Sequence, residues 1–259
     1  MPHRPAQVTA LLCDLGAHLP VLLRGNLVGI YLYGSLTQEA FDSKRSDIDC
    51  IVVTKRALSD AQFKKLRAWL TLNAKSNPWT SRLQASFLLR DKVLTANSPS
   101  CLYQFGRLKR SRSDGNPIIW MNVLRSGEIL YGPRPESFVP PITREILFRA
   151  LEREVGYLRE EIIENPRSKW RDVAFYRAYA VLTLCRILYS FNTGTIVSKQ
   201  RAARWAMKHL PPQWIELILQ ALASDAGKRR ARIPVRRIAQ FIAFIDARLH
   251  TRQPPRQRV

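Results

Sequence analysis

At 259 residues the chain is long enough for one large domain or two modest ones, and 42 Lys and Arg against 20 Asp and Glu leave a net charge of +22. That excess predicts attraction to polyanions, whether nucleotide, nucleic acid or anionic surface. The scattered Cys13, Cys50, Cys101 and Cys185 and the four histidines exclude C-x-x-C and zinc-finger spacings, and no run approaches eighteen consecutive apolar residues.

Taken in order, residues 5–24 carry Val8, Leu11, Leu12, Leu15, Leu19 and Leu22 at helical spacing, with Pro20 predicting a break or kink near the end. An apolar run from Gly29 to Tyr33 predicts a strand that Gly34-Ser35 interrupts. A short helix and loop are expected over Leu36 to Arg45, then a second strand through Asp47-Ile48-Asp49 to Val53. Ser59-Asp60-Ala61-Gln62 is a capping-box pattern that opens a helix to about Ala74. Leu83 to Leu89 alternates as a third strand, with Gln84, Ser86 and Leu88 on one face. The basic stretch Arg107 to Arg112 reads as a loop, Pro117 to Leu124 as a helix and Glu128 to Tyr131 as a short strand.

Gly132-Pro133-Arg134-Pro135 and Pro140-Pro141 mark a boundary. Helical periodicity follows over Thr143 to Asn165, Val173 to Phe191, Lys199 to His209, Gln213 to Ala223 and Val235 to His250, and Thr251 to Val259 reads as a disordered basic tail. The expected architecture is α+β, with a strand-rich domain over 1–135, a linker over 136–142 and a helical bundle over 143–250. With no span or export signal in view and thiols that read as reduced, the expectation is a cytoplasmic, monomeric protein without a membrane partner.

The chemistry concentrates in residues 34–49. Residues two apart in a strand share a face, so Asp47 and Asp49 point together while Ile48 points into the core. Two carboxylates side by side repel, and a magnesium ion, which takes oxygen ligands and accompanies substrate phosphates, relieves that repulsion. The turn at Gly34 lets backbone N–H groups approach a phosphate, and the Ser35 hydroxyl adds a donor. Separated by twelve residues and flanked by apolar strands, these elements point to phosphoryl-type transfer.

The segment GSLTQEAFDSKRSDIDCIVV resembles the signature of the polymerase-β-like nucleotidyltransferases. Residues 181–210, VLTLCRILYSFNTGTIVSKQRAARWAMKHL, resemble the C-terminal helical domain of the aminoglycoside adenylyltransferases of the streptomycin/spectinomycin class, and Gln104-Phe105-Gly106 is a shorter match. The resemblance implies a polymerase-β-like domain with a small mixed sheet, ATP and magnesium as cofactors, and transfer of AMP to a hydroxyl of a small-molecule antibiotic, with resistance as the role. It implies that Asp47 and Asp49 bind metal, that Gly34 and Ser35 cradle the triphosphate, and that Arg186 and Lys199 contact nucleotide phosphates.

Three positions depart from the family pattern. The strand glutamate that serves the family as general base aligns with Gln84, whose amide accepts no proton at neutral pH; Asp91, at the end of the same strand, is one candidate replacement. The substrate aromatic aligns with Leu108, and of the substrate acids only Asp172 lines up, with Tyr176 where another falls. Two alternatives therefore stand beside an aminoglycoside acceptor. One is transfer to a different acceptor such as a nucleic acid, suggested by Arg107–Arg112 and Lys228–Arg237; the other is a weakly active nucleotide-binding pseudoenzyme.

Overall fold

The computed structural model describes residues 4–227 and 233–251. The chain divides into two compact units, Met1–Ile142 and Thr143–Val259.

The first unit opens with α1, Ala6–Leu23, which buries Val8, Leu11, Leu12, Leu15, Leu19 and Leu23 along one face. Pro20 does not end it: the helix runs three residues further, and the Arg24 N–H still closes on the Pro20 carbonyl. A proline this close to a C-terminus removes one N–H without interrupting the turns that follow. By length and composition alone Ala6–Asn26 is apolar enough to cross a membrane, but its leucine face packs into the core beneath the sheet.

Six strands follow: β1 Leu27–Tyr33, β2 Ile48–Thr54, β3 Leu83–Leu89, β4 Pro99–Gln104, β5 Arg107–Arg112 and β6 Glu128–Tyr131, in the order β5-β4-β3-β2-β1-β6. Among the described residues only β2 and β3 pair in parallel. A parallel pair needs a long crossover, here α2, Asp60–Ser76, whose capping box at Ser59 and Gln62 forms as its sequence predicts. The sheet is therefore mixed and the fold α+β.

Strand alternation divides the core in two. Ile30, Leu32, Ile48, Cys50, Val52, Leu83, Ala85 and Phe87 pack with the leucines of α1 and α2. The intervening residues Tyr31, Ile51, Val53 and Leu88 pack with Trp120 and Val123 of α3, Pro117–Ser126. The Trp120 indole donates to the Val93 carbonyl at 3.1 Å, so its polar atom is satisfied at almost complete burial.

Two expectations are corrected here. The short helix expected after Leu36 is a 3-10 turn that begins earlier, at Gly34–Leu36. Arg107–Arg112 is not a loop but the edge strand β5, hairpinned to a β4 that periodicity did not reveal. Of the β5 side chains only Leu108 is buried, so apolar alternation is nearly invisible, and charges on an exposed edge are the usual defence against further strand pairing. The hairpin turns through Phe105 and Gly106, both at positive φ (53° and 71°), between the paired Gln104 and Arg107. That is the type I′ geometry, which favours Asn-Gly. Phe105→Asn is expected to raise the unfolding free energy by roughly 0.5–1 kcal/mol, read from the urea midpoint at unchanged slope.

The second unit is helical: α4 Arg144–Arg159, α5 Lys169–Asp172, α6 Ala174–Thr193, α7 Lys199–His209, α8 Ile215–Asp225 and α9 Val235–Thr251. Thr143 caps α4, which runs on into a π-helical turn at Glu160–Glu164. Helix α6 packs against α4, α5, α7, α8 and α9. That explains why its buried residues, from Ala178 to Phe191, form no single stripe. It ends at Gly194 in the left-handed conformation, the standard C-terminal stop. Within the tail read as disordered, Thr251 closes α9, while 252–259 lie outside the described residues, as do 228–232 of the basic run Lys228–Arg237.

Candidate active site

Asp47 precedes β2 by one residue and Asp49 lies within it, both half-buried, with Ile48 between them buried in the opposite core. By strand parity Asp49 shares the α3 face with Ile51 and Val53. The register seats it between Tyr33 of β1 and Gln84 of β3. Its carboxylate closes on the Gly34 turn: a Cβ built on Gly34 would stand 2.1 Å from Asp49 Oδ2. Gly34 has φ +80, where an L side chain is already strained, so glycine is required there twice over.

Neighbouring elements hold this turn and the loop before Asp47. Buried Asn122 on α3 accepts from Gln38 Nε2 at 3.1 Å and from Ser126 Oγ at 3.2 Å, and the Gly34 N–H points at the same oxygen at 3.5 Å. Arg82 donates to the Ser43 carbonyl at 2.7 Å and the Ser46 carbonyl at 2.5 Å, with its guanidinium over the Trp79 ring. Asn122 and Arg82 were not singled out from sequence. A lone amide in the apolar run of α3 was the available signal for the first.

On β3, Gln84 occupies the base position and donates from Nε2 to Asp47 Oδ2 at 2.7 Å, while its Oε1 accepts from Gln104 Nε2 at 3.2 Å. Asp91 is exposed in the turn beyond β3, and at ~3.3 Å per residue it stands roughly 20 Å along the strand from Gln84. That separation removes it as a substitute base. Cys50, next to Asp49 in β2 but on its opposite, core face, is fully buried; burial first, and the Asp49 charge second, push its thiol up to about 12. It is a core residue, not a nucleophile.

The donor set suits magnesium. Among the described residues no group of three or more His, Cys, Asp or Glu could hold a metal by itself. Two carboxylates on one face match a hard cation whose remaining positions go to water and substrate phosphates.

Gly34, Ser35, Asp47, Asp49 and Gln84 thus gather at one end of the sheet. Leu108 does not join them as a substrate contact: on β5 its parity turns it into the core beneath the sheet. In the basic strand that suggested nucleic acid, Arg110 donates to the Leu58 carbonyl and Asp60, and Arg112 to the Asn97 carbonyl, so half of the run's four cations are engaged within the protein. In the helical unit Arg186 is half-buried on α6. Lys199 Nζ lies 4.2 Å from the Tyr179 ring centroid and 3.8 Å from Asp225. Asp172 is exposed at the end of α5, and Tyr176 packs on Trp170 and Phe175.

Residues 137–248 match the family described as aminoglycoside adenylyltransferase, C-terminal domain. The aminoglycoside (3'') (9) adenylyltransferase of Escherichia coli is 26% identical over 262 residues, covering 94% of this chain and 95% of that protein. The spectinomycin 9-adenylyltransferase of Campylobacter jejuni is 23% identical over 220 residues, covering 80% and 81%. The fold is shared with a spectinomycin adenyltransferase from Enterococcus faecialis solved with ATP and spectinomycin, at a TM-score of 0.70 and 20% identity over 94% of this chain and 98% of that one. Along nearly its whole length the chain is thus similar to aminoglycoside and spectinomycin adenylyltransferases, and its C-terminal part matches the family model of their C-terminal domain.

Proposed function

We propose that this protein transfers AMP from ATP to a hydroxyl of an aminoglycoside-type acceptor, in a magnesium-dependent reaction. The observation that carries the reading is the contact between the Asp49 carboxylate and Gly34, which brings the Gly34-Ser35 turn and the Asp47-x-Asp49 pair to one point of the sheet from twelve residues apart. The acceptor class follows from its homologues, which are named for aminoglycosides and spectinomycin.

Asp47 and Asp49 hold the cation, and the turn at Gly34 with the Ser35 hydroxyl faces the triphosphate. Through a magnesium ion held there, Asp47 and Asp49 would supply neutralisation of the charge that builds on the departing pyrophosphate. The acceptor oxygen bonds to the α-phosphorus, the bond from that phosphorus to the bridging oxygen breaks, and pyrophosphate leaves. Gln84 takes no part in moving the hydroxyl proton, because its amide is not basic; the proton passes to water. General-base help is worth ~10²–10⁴-fold, so the reaction is expected to be slow rather than absent.

Pyrophosphate release from ATP over a panel of streptomycin, spectinomycin and RNA tests this reading. Release with one of the two antibiotics, abolished by EDTA and restored by magnesium, is the expected result. Release with RNA alone moves the acceptor to nucleic acid. ATP binding with no turnover on any acceptor refutes the enzymatic reading.

A further inference from the structure

Gln84 beside Asp47 and Gln104 beyond it form a polarised chain. Gln84 lies opposite Asp49 in the parallel β2–β3 register. Extending the antiparallel β3–β4 register one step past Ala85↔Tyr103 sets Gln104 opposite Gln84. The three strands thus lay Gln104, Gln84 and the aspartates in one row across the sheet, on the α3 face. An amide has a donating and an accepting end, so the direction of such a chain is set by its neighbours. A carboxylate only accepts, which turns the Gln84 amino group toward Asp47; its carbonyl oxygen is then left for the Gln104 amino group. The contacts in the structure run that way, at 2.7 Å and 3.2 Å.

We propose that Gln84 is a positioning residue, which together with Gln104 fixes the carboxylate of Asp47 for metal binding through a neutral amide relay. The inference rests on the assignment of Asp47 as a ligand. Its physical basis is that an N–H bound to one carboxylate oxygen restricts rotation of the whole group, as outer hydrogen bonds do for metal ligands generally. A glutamate in place of Gln84 would set a second carboxylate at the same distance and need a cation or a proton to hold it. The amide keeps Asp47 in place with the cation absent.

Gln104 is the informative position, because it reaches Asp47 only through Gln84. Gln104→Glu is isosteric but cannot donate to Oε1 of Gln84. It favours the flipped Gln84 amide, which presents its oxygen to Asp47, whereas Gln104→Leu merely releases the relay. The measurement is the dissociation constant of Mn²⁺, followed by its electron paramagnetic resonance signal, with an α,β-methylene analogue of ATP present. Thermal midpoints of the metal-free proteins accompany it. Both variants are expected to weaken Mn²⁺ by roughly 10-fold, the lower end for outer-shell partners, with midpoints close to that of the parent.

Long-range electrostatics predicts the opposite sign for Gln104→Glu, since an added negative charge attracts a cation. Unchanged or tighter Mn²⁺ binding in Gln104→Glu therefore overturns the relay. Asp47→Asn separates the two failures. If it abolishes Mn²⁺ binding while the Gln104 variants bind as the parent does, only the relay is wrong; if it still binds Mn²⁺ normally, the ligand assignment falls and the relay's role with it.

Discussion

Asp49→Asn is expected to lower the rate of pyrophosphate release by on the order of 10³-fold, about 4 kcal/mol of transition-state stabilisation, while leaving the protein folded. The substitution keeps the shape of the side chain against Gly34 and its place between Tyr33 and Gln84 in the sheet. What it removes is a formal charge from a site with only two carboxylates to offer a cation. Magnesium depends on full negative charge in its oxygen ligands, and the amides of Gln84 and Asn122 near the site add none. Steady-state pyrophosphate release gives the loss, and a thermal melt alongside shows whether the sheet survives. A variant that keeps a tenth or more of the parent rate would mean that the reaction does not rely on a metal held by Asp49.

The donor half of the site was legible because its signals are local. Alternation places Leu83–Leu89 as β3, and parity alone turns Gln84 toward the face of the aspartates. The turn at Gly34 could be read because glycine is the residue that tolerates φ +80. What escaped lies in pairing between strands. The β4–β5 hairpin turns on Phe105-Gly106 rather than Asn-Gly, and β5 shows a single apolar residue, so neither turn chemistry nor periodicity marked it. Without that hairpin Gln104 has no place beside Gln84, and Leu108 could be mistaken for a surface residue although its strand turns it into the core. Local sequence specified the residues that touch phosphate and metal in the proposed reaction. Register specified the residues that hold them.

Gly34→Ala tests whether that holding matters. Two effects act together. The backbone at φ +80 costs an L residue ~1–2 kcal/mol, and the new Cβ would lie 2.1 Å from Asp49 Oδ2 and 3.0 Å from its Cγ. The clashing atom is the end of a side chain, so the fold can relieve the contact by moving it. But that atom belongs to a proposed ligand, and a displacement of ~1 Å in a catalytic group can cost 10²-fold. The expected result is a stability loss of ~1–2 kcal/mol with a fall in kcat of about 100-fold. Gly106→Ala supplies the control. Gly106 has φ +71, a similar backbone penalty, but its Cβ would meet nothing within 4 Å. It should therefore lose comparable stability and keep most of its turnover. Equal losses of activity in the two variants would trace the effect to general destabilisation. A loss confined to Gly34→Ala ties it to the one contact that only this position makes, between the turn and the Asp49 carboxylate.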